Sequence, residues 1–128
     1  MAAIVQVYWN MLLSAMGKTL LLTLLSLIFA MIIGMIFALM NVGKNRAFNL
    51  IGTVYVDAVR GVPLIVLAYF IYFGVPSGIK MLGIQDFRLT ALQAGTIALS
   101  MNCGAYMAEI IRAGIESVDK GQMEASRS

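Results

Sequence analysis

The stretch T-L-L-L-T-L-L-S-L-I-F-A-M-I-I-G-M-I-F-A-L-M-N-V-G, Thr19 to Gly43, carries no charge and decides the fold. A membrane-crossing helix needs about 20 consecutive, mostly apolar residues, and this stretch supplies them. Ser26, Ala30, Gly34 and Ala38 fall four apart within it. In a helix they form one ridge of small side chains, along which a second helix can approach closely. Leu24, Ile28, Met31 and Met35 are bulky and suit lipid or looser packing.

The whole chain agrees with an integral membrane protein. Of its 128 residues, 61% are hydrophobic and 12% charged, where soluble domains carry roughly 25% charged residues. The net charge of +3 is read by its position along the chain. No basic cluster interleaved with aromatics points to nucleic acid. Histidine is absent and Cys103 is the single cysteine, so no metal site, disulfide framework or catalytic constellation is expected. No phosphate-binding glycine loop with its lysine occurs. The fold class is all-α.

Upstream, Met1 to Gly17 has no charged side chain, and Ile4, Val5, Tyr8, Met11, Leu12 and Ala15 recur at helical spacing. With Tyr8 and Trp9 suited to the membrane boundary, residues 1–17 read as an amphipathic helix lying in the interface. A cleavable signal peptide fits poorly, since the first charged side chain, Lys18, follows the apolar stretch.

Downstream, Lys44-Asn45-Arg46 is a basic turn. Ile51, Val54, Tyr55, Ala58 and Val59 then resume helical spacing, and Asp57 and Arg60 are placed to pair. Gly61-Val62-Pro63 interrupts that helix. The apolar run Leu64 to Phe73 is broken again at Gly74, Pro76 and Gly78, and from Pro63 to Phe73 it is too short for a hydrocarbon core of about 30 Å. The second crossing is therefore expected to borrow residues before Gly61 and to kink at Gly61 and Pro63. Broken helices in membranes are tolerated where they are buried or line a cavity, which makes Gly61 and Pro63 candidates for a translocation path. Leu89 to Ala108 forms a third, lean crossing. Its Asn102 needs a hydrogen-bond partner and reads as glue between helices, or as a contact on the path.

Glu109, Arg112 and Glu116 can pair where the third helix leaves the membrane. Asp119 to Ser128, D-K-G-Q-M-E-A-S-R-S, follows. Asp119 with Gln122 has the capping-box pattern, and an exposed helix is expected from Lys120, with Glu124 placed to pair with Lys120 and Arg127. Three crossings put the N-terminus and the tail on opposite sides. The tail side carries Lys44, Arg46, Arg60, Arg112, Lys120 and Arg127, against Lys18, Lys80 and Arg88, so the positive-inside bias makes the tail cytoplasmic and the N-terminus external.

Two of these stretches resemble a known family. Arg60-Gly61-Val62-Pro63-Leu64-Ile65-Val66 is similar to the R-G-T-P-L-L-V segment of amino-acid permeases of ABC importers, with Val62 where Thr is usual. Ala105 to Ser128, A-Y-M-A-E-I-I-R-A-G-I-E-S-V-D-K-G-Q-M-E-A-S-R-S, resembles their third core helix running into the cytoplasmic "EAA" loop, with Ser126 where the second Ala is usual. The resemblance implies a type I importer fold with a core of five helices. Residues 18–128 would be the N-terminal part of that domain, an incomplete one, since the chain stops inside the loop motif. It also implies that Gly121, Gln122, Glu124, Ala125 and Arg127 couple the permease to a separate ATPase subunit. That subunit, not this chain, would bind ATP, so the chain is not expected to be an enzyme or to carry a cofactor. The implied partners are the ATPase, an extracytoplasmic amino-acid-binding protein, a second or related permease copy, and the lipid of a bacterial inner membrane. The implied activity is uptake of a polar amino acid. The alternative is a membrane fragment that serves only as a scaffold or has no function.

Overall fold

The computed structural model describes residues 1–118 and 120–127. Helix α1 (Ala2–Val42) is a single α-helix of 41 residues, about 60 Å at 1.5 Å per residue. The junction expected between an interfacial helix over 1–17 and a crossing from residue 18 does not interrupt it. The polar side chains there are satisfied within the helix: the hydroxyls of Thr19 and Thr23 donate to the carbonyls of Ala15 and Thr19 at 2.9 and 2.7 Å. Gly17 in a helix interior costs only about 1 kcal/mol relative to alanine. Residues 1–20 are exposed.

Helix α2 (Arg46–Gly61) starts at Asn45, whose side-chain oxygen accepts from the amides of Ala47 and Phe48 at 2.9 and 3.4 Å. This is an N-cap that satisfies two amides of the first turn. The helix folds back along the end of α1, with Gly52 against Asn41 and Phe37, and Val56 packed with Ala38. Val62 is extended and Pro63 caps α3 (Leu64–Tyr69).

The second crossing differs from expectation. It does not stop at Gly74 and does not borrow residues from before Gly61. Helix α3 passes into a π-helical turn (Phe70–Gly74) and then into α4 (Val75–Met81), so Leu64–Met81 is one helical segment, long and apolar enough to cross a membrane. The physical reason is the wider π turn. Pro76 has no N–H and its ring would collide with the carbonyl four residues earlier in a regular helix; a π turn just before it shifts the register and lets the helix continue. Helix α4 ends in a Schellman pattern, with Gly83 at φ 102° and the amides of Gly83 and Ile84 returning to the carbonyls of Lys80 and Ile79.

Helix α5 (Ala91–Glu116) begins with a full capping box: Thr90 Oγ1 accepts from the amide of Gln93, and Gln93 Oε1 accepts from the amide of Thr90, both at 3.1 Å. It is the centre of the bundle. Ser26, Ala30, Gly34 and Ala38 of α1 are buried against its small residues. Leu22 meets Gly95, Ala30 and Ile33 meet Gly104, and Gly34 meets Met107 and Ala108. The numbering rises together, so α1 and α5 run parallel. Along the second crossing it falls instead: Pro76 and Ser77 lie by Arg88 and Leu89, Tyr72 by Ala91, and Ala68 by Ala94 and Gly95. That segment is antiparallel to both. The start of α1 and the end of α5 therefore lie at opposite ends of the bundle.

The chain buries small residues and exposes large ones. Ala30, Ala38, Ala105 and Ala108 are fully buried, while Leu24, Ile28, Met31 and Met35 are about half exposed. That reverses the order in soluble proteins and suits a body surrounded by lipid and neighbouring helices. Helix α5 is less apolar than α1 because its small and polar residues face protein. Among the described residues only α1 and Leu64–Met81 are long and apolar enough to cross a membrane; α5, expected as a third crossing, is not one of them, although it packs alongside α1.

A Cβ at Gly34 would sit 2.7 Å from the Cβ of Met107, and one at Gly104 would sit 2.8 Å from Ile33 Cγ2. Overpacking of this kind costs about 1–3 kcal/mol. Gly34→Leu is expected to lower unfolding stability in detergent micelles by that amount. Gly17→Leu, where nothing lies within 4 Å, is expected to have no such effect. Denaturant titration of both variants measures the difference.

Candidate functional site

The functional candidates fall in two places, the exposed helix after α5 and the break between α2 and α3. Helix α6 (Lys120–Arg127) is present as the sequence predicts and carries Gly121, Gln122, Glu124, Ala125 and Arg127. Gln122, Glu124, Ala125 and Arg127 are exposed. Asp119, the expected cap, lies outside the described residues, as does the side chain of Lys120. Glu124 and Arg127 form no ion pair among the described residues. Helix α5 leads into α6 through Ser117, whose amide bonds to the Ala113 carbonyl at 3.0 Å and whose hydroxyl donates to Gly114 at 2.8 Å.

The last turns of α5 are braced by charge. Arg112 Nη2 and Nε reach Glu109 Oε2 at 2.8 and 3.0 Å, and Arg112 Nη1 reaches Glu116 Oε2 at 2.7 Å. The first pair is part-buried and the second exposed, and surface pairs of this kind contribute little alone. Together they hold three side chains along the last turns before α6, as the spacing of Glu109, Arg112 and Glu116 predicts.

At the break, Gly61 ends α2, Val62 is extended at φ −99° and ψ 130°, and Pro63 offers its carbonyl to the Leu67 amide at 3.1 Å. Two expectations are corrected here. Arg60 does not pair with Asp57; its guanidinium lies over the ring of Tyr106 on α5, 5.4 Å from the centroid. Asn102 is half-buried, and its side chain makes no hydrogen bond to another helix among the described residues, so it does not act as glue there. It stands one turn before Tyr106 on α5, and Arg60, next to Gly61, is the residue at the break that reaches that stretch of α5.

One polar tie between helices comes from a residue that sequence reasoning placed only on an apolar stripe; a longer one runs from the Ser100 hydroxyl to the Ser26 carbonyl at 3.5 Å. Tyr55 donates its hydroxyl to the Met101 carbonyl at 2.6 Å, and its ring stacks on Phe37 at 4.1 Å between centroids. Helical spacing marks Tyr55 as inward-facing but does not reveal the partner of its hydroxyl. A groove of about 300 Å³ opens nearer the other end of the bundle, between Tyr69, Tyr72 and Phe73 and the small residues Ala91, Ala94 and Gly95. Among the described residues no cluster of His, Cys, Asp and Glu could hold a metal ion.

Comparison with known proteins places this geometry. Residues 30–128 match the family described as "Binding-protein-dependent transport system inner membrane component". The chain is 43% identical over 106 residues to a putative glutamine transport system permease protein of Rickettsia conorii, covering 83% of this chain and 46% of that one. It is 41% identical over 120 residues to an L-cystine transport system permease protein of Bacillus subtilis, covering 94% of this chain and 48% of that one. A solved structure titled "Crystal structure of an amino acid ABC transporter with histidines" superposes with a TM-score of 0.79 at 38% identity, over 94% of this chain and 53% of that one. The chain thus spans about half the length of the curated relatives it matches.

Tyr55→Phe keeps the stacked ring and removes the hydroxyl. A hydrogen bond of this kind contributes about 1 kcal/mol net. The variant is expected to lose that much stability in micelles while keeping its helical content, as read by circular dichroism during denaturant titration.

Proposed function

Since this chain belongs to the family of binding-protein-dependent transport system inner membrane components, we propose that it forms the permease of an ATP-driven importer of a polar amino acid. The family is a membrane permease and not a classical enzyme. In this reading the energy comes from ATP bound by a separate ATPase subunit, and an external binding protein delivers the substrate. A second copy, or a related permease, completes the path. The relatives named for glutamine and for cystine have similar identity to this chain, which supports the substrate class and not one member of it.

The observation that carries the reading is α6. It is a short helix of polar residues, mostly exposed, at the end of a long helix braced by Glu109, Arg112 and Glu116. Such a helix can seat in a groove of a partner, and a rigid α5 can pass its displacement to the bundle. Gln122, Glu124 and Arg127 supply hydrogen bonds and charge across the interface. Gly121 and Ala125 allow close approach. Transport then follows by alternating access, with permease halves rocking about a central site. Gly61, Pro63 and Asn102 would line the path. The excess of Lys and Arg on the tail side supports a cytoplasmic α6 and an external N-terminus.

Two experiments test this reading. In cells holding this chain joined to the C-terminal half of a relative, with its ATPase, Glu124→Arg is expected to cut amino-acid uptake at least about tenfold, since a like charge across an interface costs several kcal/mol. Membrane insertion should be unchanged, and undiminished uptake would refute the coupling role. For orientation, Ser14→Cys in a Cys103→Ala background is expected to react with an impermeant maleimide in intact cells. Ser117→Cys should react only after permeabilisation, and the opposite pattern would invert the topology.

A further inference from the structure

We propose that Arg60 is a positioning residue that clasps the α2–α3 break to α5 through the ring of Tyr106, so that the break moves with the helix that carries α6. This rests on the reading of α6 given above. The break itself has little local restraint. Gly61 faces open space, with nothing within 4 Å of a Cβ placed there. The Val62 amide makes only a long bond of 3.4 Å to the Val59 carbonyl, and Pro63 has no amide to donate. Just before the break, Val59 is buried, and Arg60 reaches across to Tyr106.

The charges nearby explain why Arg60 turns to a ring. Asp57, one turn back, does not engage it. Glu109, one turn beyond Tyr106, is hydrogen-bonded by two nitrogens of Arg112 and feels the charge of Arg60 only through space. An aromatic face attracts a guanidinium by its quadrupole, here between two exposed side chains. From Tyr106 to Glu116 the α-helix is unbroken. A displacement that reaches the end of α5 at Glu116 is carried to Tyr106 through a stiff element, and Arg60 hands it to the break.

The clasp is tested first without transport, in the 128-residue chain in lipid nanodiscs, by amide hydrogen exchange at Val62 and Leu64. Arg60→Gln and Tyr106→Leu are each expected to speed exchange about three- to fivefold, the scale of one cation–π contact. Arg60→Lys and Tyr106→Phe, which keep the cation and the ring, should stay within about twofold of the parent. The double variant should be no faster than either single one. Exchange at Ala98, buried in α5, should not change and serves as the check on folding. No acceleration, equal effects of Tyr106→Phe and Tyr106→Leu, additive effects in the double variant, or acceleration at Ala98 as well would each overturn the clasp. A second arm uses the chain joined to a relative's C-terminal half with its ATPase. Tyr106→Leu is expected to lower uptake per ATP hydrolysed at least threefold while ATPase association persists, and an unchanged ratio overturns the coupling role of Arg60. If Glu124→Arg leaves ATPase association and uptake intact, the reading of α6 fails, and the exchange results decide the clasp separately.

Discussion

The approach of α1 to α5 governs the rest of the structure. Gly34 lies against Met107 and the backbone at Gly104 and Ala108, while Gly104 lies against Ile33 and the Ala30 carbonyl. In lipid the hydrophobic effect does not drive helices together, so close packing of backbones must do it. Small residues on both helices permit that packing along their common length. Because the two helices are parallel, the segment between them must return, and the chain between α1 and α5 holds one return crossing. The placement of α2, of the break at Val62 and of the groove beside Tyr72 follows from this frame.

Much of the frame is legible in the sequence because membranes impose simple rules. The charge-free stretch and the Ser26–Ala38 ridge lead directly to α1 and its buried face. The spacing of Glu109, Arg112 and Glu116 leads to the ion pairs that close α5. What is not legible depends on backbone adjustment or on distant partners. Gly74, Pro76 and Gly78 look like helix breakers, yet a π turn at Phe70–Gly74 absorbs the proline and the crossing runs on to Met81. Arg60 has an obvious local partner in Asp57, and its actual contact, Tyr106, lies far along the chain. Asn102 reads as glue between helices or as a contact on the path, and its side chain makes no hydrogen bond among the described residues. The boundary expected after Gly17 is not a boundary in the helix, which runs unbroken from Ala2 to Val42.

The candidate site follows the same division. Its outer part, α6, is a continuous stretch and can be read from sequence alone. Its inner part joins residues of α2, the break and α5, which only the fold brings together. Arg60 and Tyr106 connect the two, lying between the braced end of α5 and the break at Val62.

The central claim is that α6 is the surface through which a partner ATPase acts on this bundle. Site-specific cross-linking tests it directly. A photoreactive probe on Gln122→Cys, in a Cys103→Ala background, is used with the chain joined to a relative's C-terminal half and co-expressed with the ATPase of an amino-acid importer. The account predicts covalent capture of the ATPase from Gln122 and none from the same probe at Leu24→Cys on the outer face of α1. Equal capture from both positions, or none from Gln122, would contradict it.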